Sequence, residues 1–94
     1  MLTLQQKNTI KKTVSRYNPK LVGVFGSYAR NEQQVESDLD ILIDFNQNVN
    51  LIELIGLEQE LTELLGIKVD LVTVKSVNPN LSAHIQKDLI RILP

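Results

Sequence analysis

Asp38 and Asp40 stand one residue apart at the head of an apolar run, Ser37-Asp38-Leu39-Asp40-Ile41-Leu42-Ile43, and Asp38 follows Ser27 of a Gly26-Ser27 turn by eleven residues. On an extended strand, side chains at i and i+2 leave the same face, about 6–7 Å apart along the chain. Carboxylates held that close repel, and one tends to keep its proton unless a cation neutralises the pair. Magnesium is the natural counterion, being a hard ion that takes one or two carboxylates together with substrate phosphates. Asp70 interrupts a second aliphatic run, Lys68-Val69-Asp70-Leu71-Val72. An acid there is costly if buried without a partner. If this run lies beside the Asp38–Asp40 strand, three carboxylates converge and can hold two metal ions. Each signal alone has a plainer reading: Asp-x-Asp is common, Asp70 can be an edge acid facing water, and Gly-Ser after a strand is a usual turn. Their combination points to a site that holds a polyphosphate against divalent metal.

The turn has its own physical logic. Gly26 has no side chain, so a phosphate can approach its backbone closely. Ser27 offers a hydroxyl and an amide at what reads as the first turn of a helix, where free N–H groups favour an anion. Arg30 lies a turn further on and can either reach the phosphates or pair with an acid; both readings stay open. His84, the only histidine, falls on the last helix as a surface or packing residue, which leaves no other base for the chemistry.

The elements that must position these residues follow in order. Thr3 to about Tyr17 reads as a helix, opened by a Thr3/Gln6 capping box and carrying Ile10, Val14 and Tyr17 on one face. Lys7, Lys11, Lys12 and Arg16 sit mostly off that face, as a solvated surface would. Asn18-Pro19 ends it, since a residue before proline is pushed out of the α region. Leu21–Phe25 suits a buried strand, and residues 28–32 a brief helix, with Asn31 as a left-handed terminator. Asp38–Phe45 is a second strand, with Leu39, Ile41, Ile43 and Phe45 on one side and Asp38, Asp40, Leu42 and Asp44 on the other. Asn50 and Glu53 open a helix to about Leu65, with an apolar stripe of Leu54, Leu57, Leu61, Leu64 and Leu65 and with Gly66 as its stop. Gly56 inside it costs about 1 kcal/mol relative to alanine, which close packing against a strand would explain. Ile67–Val74 is a third strand. Asn78-Pro79 starts a last helix whose apolar side is Leu81, Ile85, Leu89 and Ile92. The expected architecture is α/β (α+β), with a small three-stranded mixed sheet and flanking helices.

Composition narrows the function classes. Ninety-four residues are read as one domain, with 43% hydrophobic and 22% charged residues and no cysteine, so thiolate metal sites and cysteine nucleophiles are excluded. No apolar run reaches the roughly 18–20 residues of a membrane span. The N-terminus lacks the order of a signal peptide, so a cytoplasmic protein is expected. Ten basic against eleven acidic residues, net −1, argue against direct nucleic-acid binding through the phosphate backbone. With only 4% aromatics there is little surface for stacking bases. A small anion such as a nucleotide remains compatible, held by a few local groups and a metal.

Three segments together, Gly26-Ser27-Tyr28-Ala29-Arg30, Ser37-Asp38-Leu39-Asp40-Ile41-Leu42-Ile43 and Lys68-Val69-Asp70-Leu71-Val72, resemble the signature of the polymerase-beta-like nucleotidyltransferase superfamily, and within it the minimal (MNT) branch. The resemblance runs from about Leu21 to the end of the chain. It implies that Asp38 and Asp40 bind two magnesium ions, that Asp70 shares one and helps deprotonate the attacking hydroxyl, and that Gly26 and Ser27 hold the β and γ phosphates of ATP or another NTP. One departure is Asn31, where many MNT sequences have glycine. The implied reaction is attack of a hydroxyl on the α-phosphate with pyrophosphate leaving. The implied partner is a helical HEPN-family ribonuclease toxin, to which the MNT protein is antitoxin and on which a tyrosine accepts AMP. Ile90, Ile92 and Leu93 are then either a docking surface or part of this chain's own core. An antitoxin that neutralises its partner by contact alone is the alternative, although sequestration needs none of the five site residues. Glycosyltransferases and haloacid-dehalogenase-type phosphatases also use Asp-x-Asp, but they need larger chains and leave the Gly-Ser turn unexplained.

Overall fold

A computed structural model describes residues 2–93. Helix α1 (Leu4–Val14) begins at the Thr3/Gln6 capping box and passes into a 3-10 turn at Ser15–Tyr17. It stops at Asn18, which adopts a left-handed φ of 49°. Strand β1 (Pro19–Phe25) starts two residues earlier than its apolar run suggests. Strand β2 (Leu39–Phe45), helix α2 (Leu51–Leu65), strand β3 (Val69–Thr73), a 3-10 turn at Val74–Ser76 and helix α3 (Pro79–Asp88) follow. The chain then forms a fourth strand, β4 (Ile90–Leu93).

The sheet therefore has four strands rather than three, in the order β3-β2-β1-β4. β1 is antiparallel to both β2 and β4, and β2 is parallel to β3. The last helix, expected to carry Leu81, Ile85, Leu89 and Ile92 on its apolar side, ends at Asp88. Only Ile85 of the four is buried on it, while Leu81 is exposed. A short, mostly apolar run such as residues 89–93 fits a helix or a strand equally well. Pairing with the free edge of β1 decides for the strand. Ile92 is buried in the core and Leu93 packs against it, whereas Ile90 stays 36% exposed.

The main core lies between one face of the sheet and the pair α1 and α2. Val22, Val24, Leu39, Ile41, Ile43, Val69 and Leu71 meet Ile10, Val14, Leu57 and Leu61 there. Helix α3 covers part of the opposite face. Leu42 and Ile85 are each 3% exposed and line one small cavity beneath that helix. Across the β1–β2 ladder from Leu42 is Gly23. A Cβ on Gly23 would sit 2.5 Å from Leu89 Cδ1, so this glycine is what lets the end of α3 close onto the sheet.

Two expectations for α2 are corrected. Gly56 is not packed against a strand: a Cβ there would meet nothing within 4 Å. Leu64 is 57% exposed and lies off the buried stripe. The helix caps behave as read, with the Asn50/Glu53 capping box at the start and left-handed Gly66 at the end.

Candidate active site

The site gathers at one end of the sheet, on the face that α3 leaves open. In the parallel β2–β3 pair Asp40 is in register with Asp70. Adjacent strands lie about 4.8 Å apart, so these carboxylates leave neighbouring backbones on the same face. Asp38 lies just outside β2, two residues before Asp40. Asp40 is half-buried, while Asp38 and Asp70 are exposed. The Asp40 carboxyl has its pKa raised above the ordinary 3.8, first by burial and then by the Asp70 and Asp38 charges, with Arg30 opposing. Asp40 thus feels the charges of both neighbouring acids.

Gly26 closes the other side of Asp40. Its φ is +74°, a value that favours glycine. A Cβ built there would overlap Asp40 Oδ2. Glycine is therefore demanded twice, by backbone conformation and by the carboxylate pressed against it. The register explains the contact, because Asp40 pairs with Phe25, the residue before Gly26.

The brief helix expected over residues 28–32 does not form; residues 26–31 are a turn. Arg30 N–H donates to the Gly26 carbonyl at 3.1 Å, making one α-type turn. The turn then closes at once: Glu32 N–H donates to Ser27 C=O at 2.8 Å and Asn31 N–H to Tyr28 C=O at 3.3 Å. With Asn31 at φ 58°, this is the Schellman pattern that ends helices. Asn31 thus does the work of a glycine. Ser27 opens a single turn rather than a helix with a sustained dipole, so its contribution is limited to its hydroxyl and local amides.

Arg30 is paired. Its Nη1 donates to Asp88 Oδ2 at 2.6 Å, and its Nε lies 3.5 Å from Glu32 Oε2. It ties the Gly-Ser turn to the end of α3 and still acts on Asp40 through space. Lys68 Nζ stands 4.0 Å from Asp38 Oδ2. Neither Asp88 nor Lys68 was expected at the site. Lys68 had a signal, since it lies two residues before Asp70 on the same side of the run. Asp88 had none, being 58 residues from Arg30 in the chain. His84 is exposed on α3.

Among the described residues no three Asp, Glu, His or Cys side chains close into a group able to hold a metal ion. The donor chemistry at the open end of the sheet nevertheless suits a hard divalent ion: only carboxylate oxygens, on one face, in mutual repulsion that a cation would relieve. Among those residues, no helix is long and apolar enough to cross a membrane.

The mixed sheet, a glycine turn against a carboxylate, and in-register acids on adjoining strands come together at one end of the fold. The chain belongs to the polymerase beta nucleotidyltransferase family, whose model matches residues 8–93. It is 36% identical over 97 aligned positions to the protein adenylyltransferase MntA of Thermococcus cleftensis, covering 98% of both chains. Its fold matches that of a crystal structure of a toxin–antitoxin with AMP-PNP, with TM-score 0.82 and 30% identity over 92% of this chain and 71% of the other. A tri-AMPylated HEPN toxin of Shewanella oneidensis in complex with an MNT antitoxin gives TM-score 0.77 at 24% identity, covering 94% and 69% of the two chains. At that identity the likeness concerns the fold.

Proposed function

We propose that this protein is a magnesium-dependent protein adenylyltransferase that moves AMP from ATP to a hydroxyl of a partner protein and serves as antitoxin to a cytoplasmic HEPN-family toxin. One observation carries the reading: Asp40 and Asp70 lie in register on parallel strands, with Asp38 on the same side and Gly26 pressed against Asp40. The relative named protein adenylyltransferase MntA and the toxin–antitoxin structure with AMP-PNP support the choice of an adenine nucleotide donor and of an antitoxin role.

Asp38, Asp40 and Asp70 would hold the magnesium, with room in the reading for two ions. When bound, the metal supplies charge neutralisation at the phosphates and acidifies the acceptor hydroxyl. The chain's own residues do the rest. Gly26, whose Cβ position is taken by Asp40, would offer the β and γ phosphates its backbone amide, Ser27 would offer its hydroxyl and amide, and Arg30 adds positive charge a turn away. In the transfer, the acceptor oxygen bonds to the α-phosphorus, the α–β anhydride bond breaks, and pyrophosphate departs. Asp70 is exposed at the mouth of the site, where an acceptor would enter, and takes the hydroxyl proton.

The test is to incubate the protein with a HEPN-family partner, labelled ATP and magnesium, and to measure the mass gain of AMP on that partner. Transfer by wild type and its loss in Asp38→Asn are expected. No transfer while the partner's ribonuclease is still neutralised would leave contact alone as the antitoxin mechanism. Full activity of Asp38→Asn would overturn the site.

A further inference from the structure

β3 is an edge strand, and two of its outward backbone donors are not left to solvent. Lys68 C=O accepts from Leu39 N–H at 2.8 Å. Alternation along the strand therefore turns the backbone groups of Lys68 and Asp70 toward β2 and those of Val69 and Leu71 outward. These two donors, which flank Asp70, are taken by side chains of α2. Val69 N–H donates to Thr62 Oγ1 at 3.0 Å, and Leu71 N–H donates to Glu58 Oε2 at 2.8 Å. Thr62 is itself oriented, its hydroxyl donating to Glu58 C=O at 2.9 Å. The spacing matches: i to i+4 on a helix covers about 6 Å, as does i to i+2 on a strand. Asp70 lies between the two fastened residues, while β2 holds its own backbone in register with Asp40.

We propose that Glu58 and Thr62 are positioning residues for the third carboxylate. They touch neither nucleotide nor acceptor. By fastening the backbone on both sides of Asp70 to α2, they hold its carboxylate at the height of Asp40, so that the set can share a cation. This rests on the nucleotidyltransferase reading above. Simple blocking of a sheet edge against unwanted pairing is the competing account, and it predicts no effect on the cation.

The experiment measures Mg²⁺ binding by calorimetry on the full chain with AMP-PNP present, alongside thermal melts, so it does not depend on turnover. Glu58→Ala and Thr62→Val are expected to weaken Mg²⁺ binding about 10-fold, as loss of a supporting contact does at metal sites. Glu58→Gln and Thr62→Ser keep the acceptor oxygen and should restore wild-type binding. In an Asp70→Asn background, Glu58→Ala should add nothing, because the residue it positions is gone. Unchanged Mg²⁺ affinity in folded Glu58→Ala and Thr62→Val, with only a lower melting temperature, overturns the proposal. An undiminished additional loss in the Asp70→Asn background does the same. If Glu58→Ala melts too low to measure, the Thr62→Val and Thr62→Ser pair decides. Absence of Mg²⁺ binding by wild type is a different result: it removes the metal-dependent reading itself, and this proposal with it.

Discussion

On one face of β2, Leu39, Ile41 and Ile43 are fully buried against α1 and α2; on the other, only Leu42 is buried, and Asp38, Asp40 and Asp44 keep contact with water. The same seven-residue strand thus separates two tasks by its two-residue period. The apolar face stabilises the fold, each fully buried aliphatic contributing about 1.5–3 kcal/mol. The acidic face is covered only where Leu42 and Gly23 meet α3, and it opens where the carboxylates begin. Charge can persist there because water or a cation can still reach it. Asp40, pressed against Gly26 and flanked by Asp38 and Asp70, is the acid whose pKa is raised. The lesson of the comparison is that α3 is placed to bury part of this face while stopping short of the site.

Substitutions on the two faces should therefore separate activity from stability. The largest effect is expected from Asp40→Asn, which removes a carboxylate between Gly26 and Asp70. AMP transfer should fall at least about 100-fold, while chemical denaturation shows stability no lower than wild type. A large stability loss in this variant would break the division of labour. Ile41→Ala, one residue along and on the opposite face, should cost about 2–5 kcal/mol in the same denaturation experiment. Its KM for ATP should stay near wild type while the protein remains folded.

The pH dependence sharpens the contrast. A carboxyl whose pKa is raised in the folded state binds protons more tightly there than in the unfolded chain. Its ionisation therefore removes stability as pH rises from the unfolded value near 3.8 through the higher folded value. Melts without divalent metal should show Asp40→Asn gaining on wild type across that window and then running parallel to it. An unchanging difference would mean that the surroundings of Asp40 do not strain its charge. The smallest effect is expected on α2, away from both faces of β2. Gly56 lies on the exposed side of the helix with open space around its Cα, so Gly56→Ala should stabilise by about 0.5–1 kcal/mol. AMP transfer by that variant should match wild type.

Much of the site was legible along the chain because its signals are local. A glycine after an apolar run, acids at i and i+2, and a lone acid in a β-branched stretch each state a local constraint. The capping boxes at Thr3 and Asn50 and the left-handed Gly66 and Asn31 were legible for the same reason. Where several outcomes satisfied the same local rule, the reading went astray. Residues 28–32 have helix-forming side chains, yet Asn31 closes the first turn before a second can propagate. Ile90, Ile92 and Leu93 suit a strand as well as a helix, and only the vacant edge of β1 selects the strand. Gly56 looked like a packing glycine because a mid-helix glycine usually needs a reason, yet among the described residues a Cβ there meets nothing within 4 Å.

The sequence by itself determined which residues could bear charge, turn tightly or fill a core, since side-chain chemistry and two- or four-residue periodicities are properties of the chain alone. Tertiary structure decided which of them meet. The parallel β2–β3 register sets Asp70 beside Asp40, the β1–β2 register presses Gly26 against the same carboxylate, and α2 fastens the edge of β3. Arg30 likewise finds Asp88 only because α3 returns across the sheet. Such meetings depend on strand order and register, which are settled by how all the apolar faces are buried at once, and no local stretch of sequence encodes that sum.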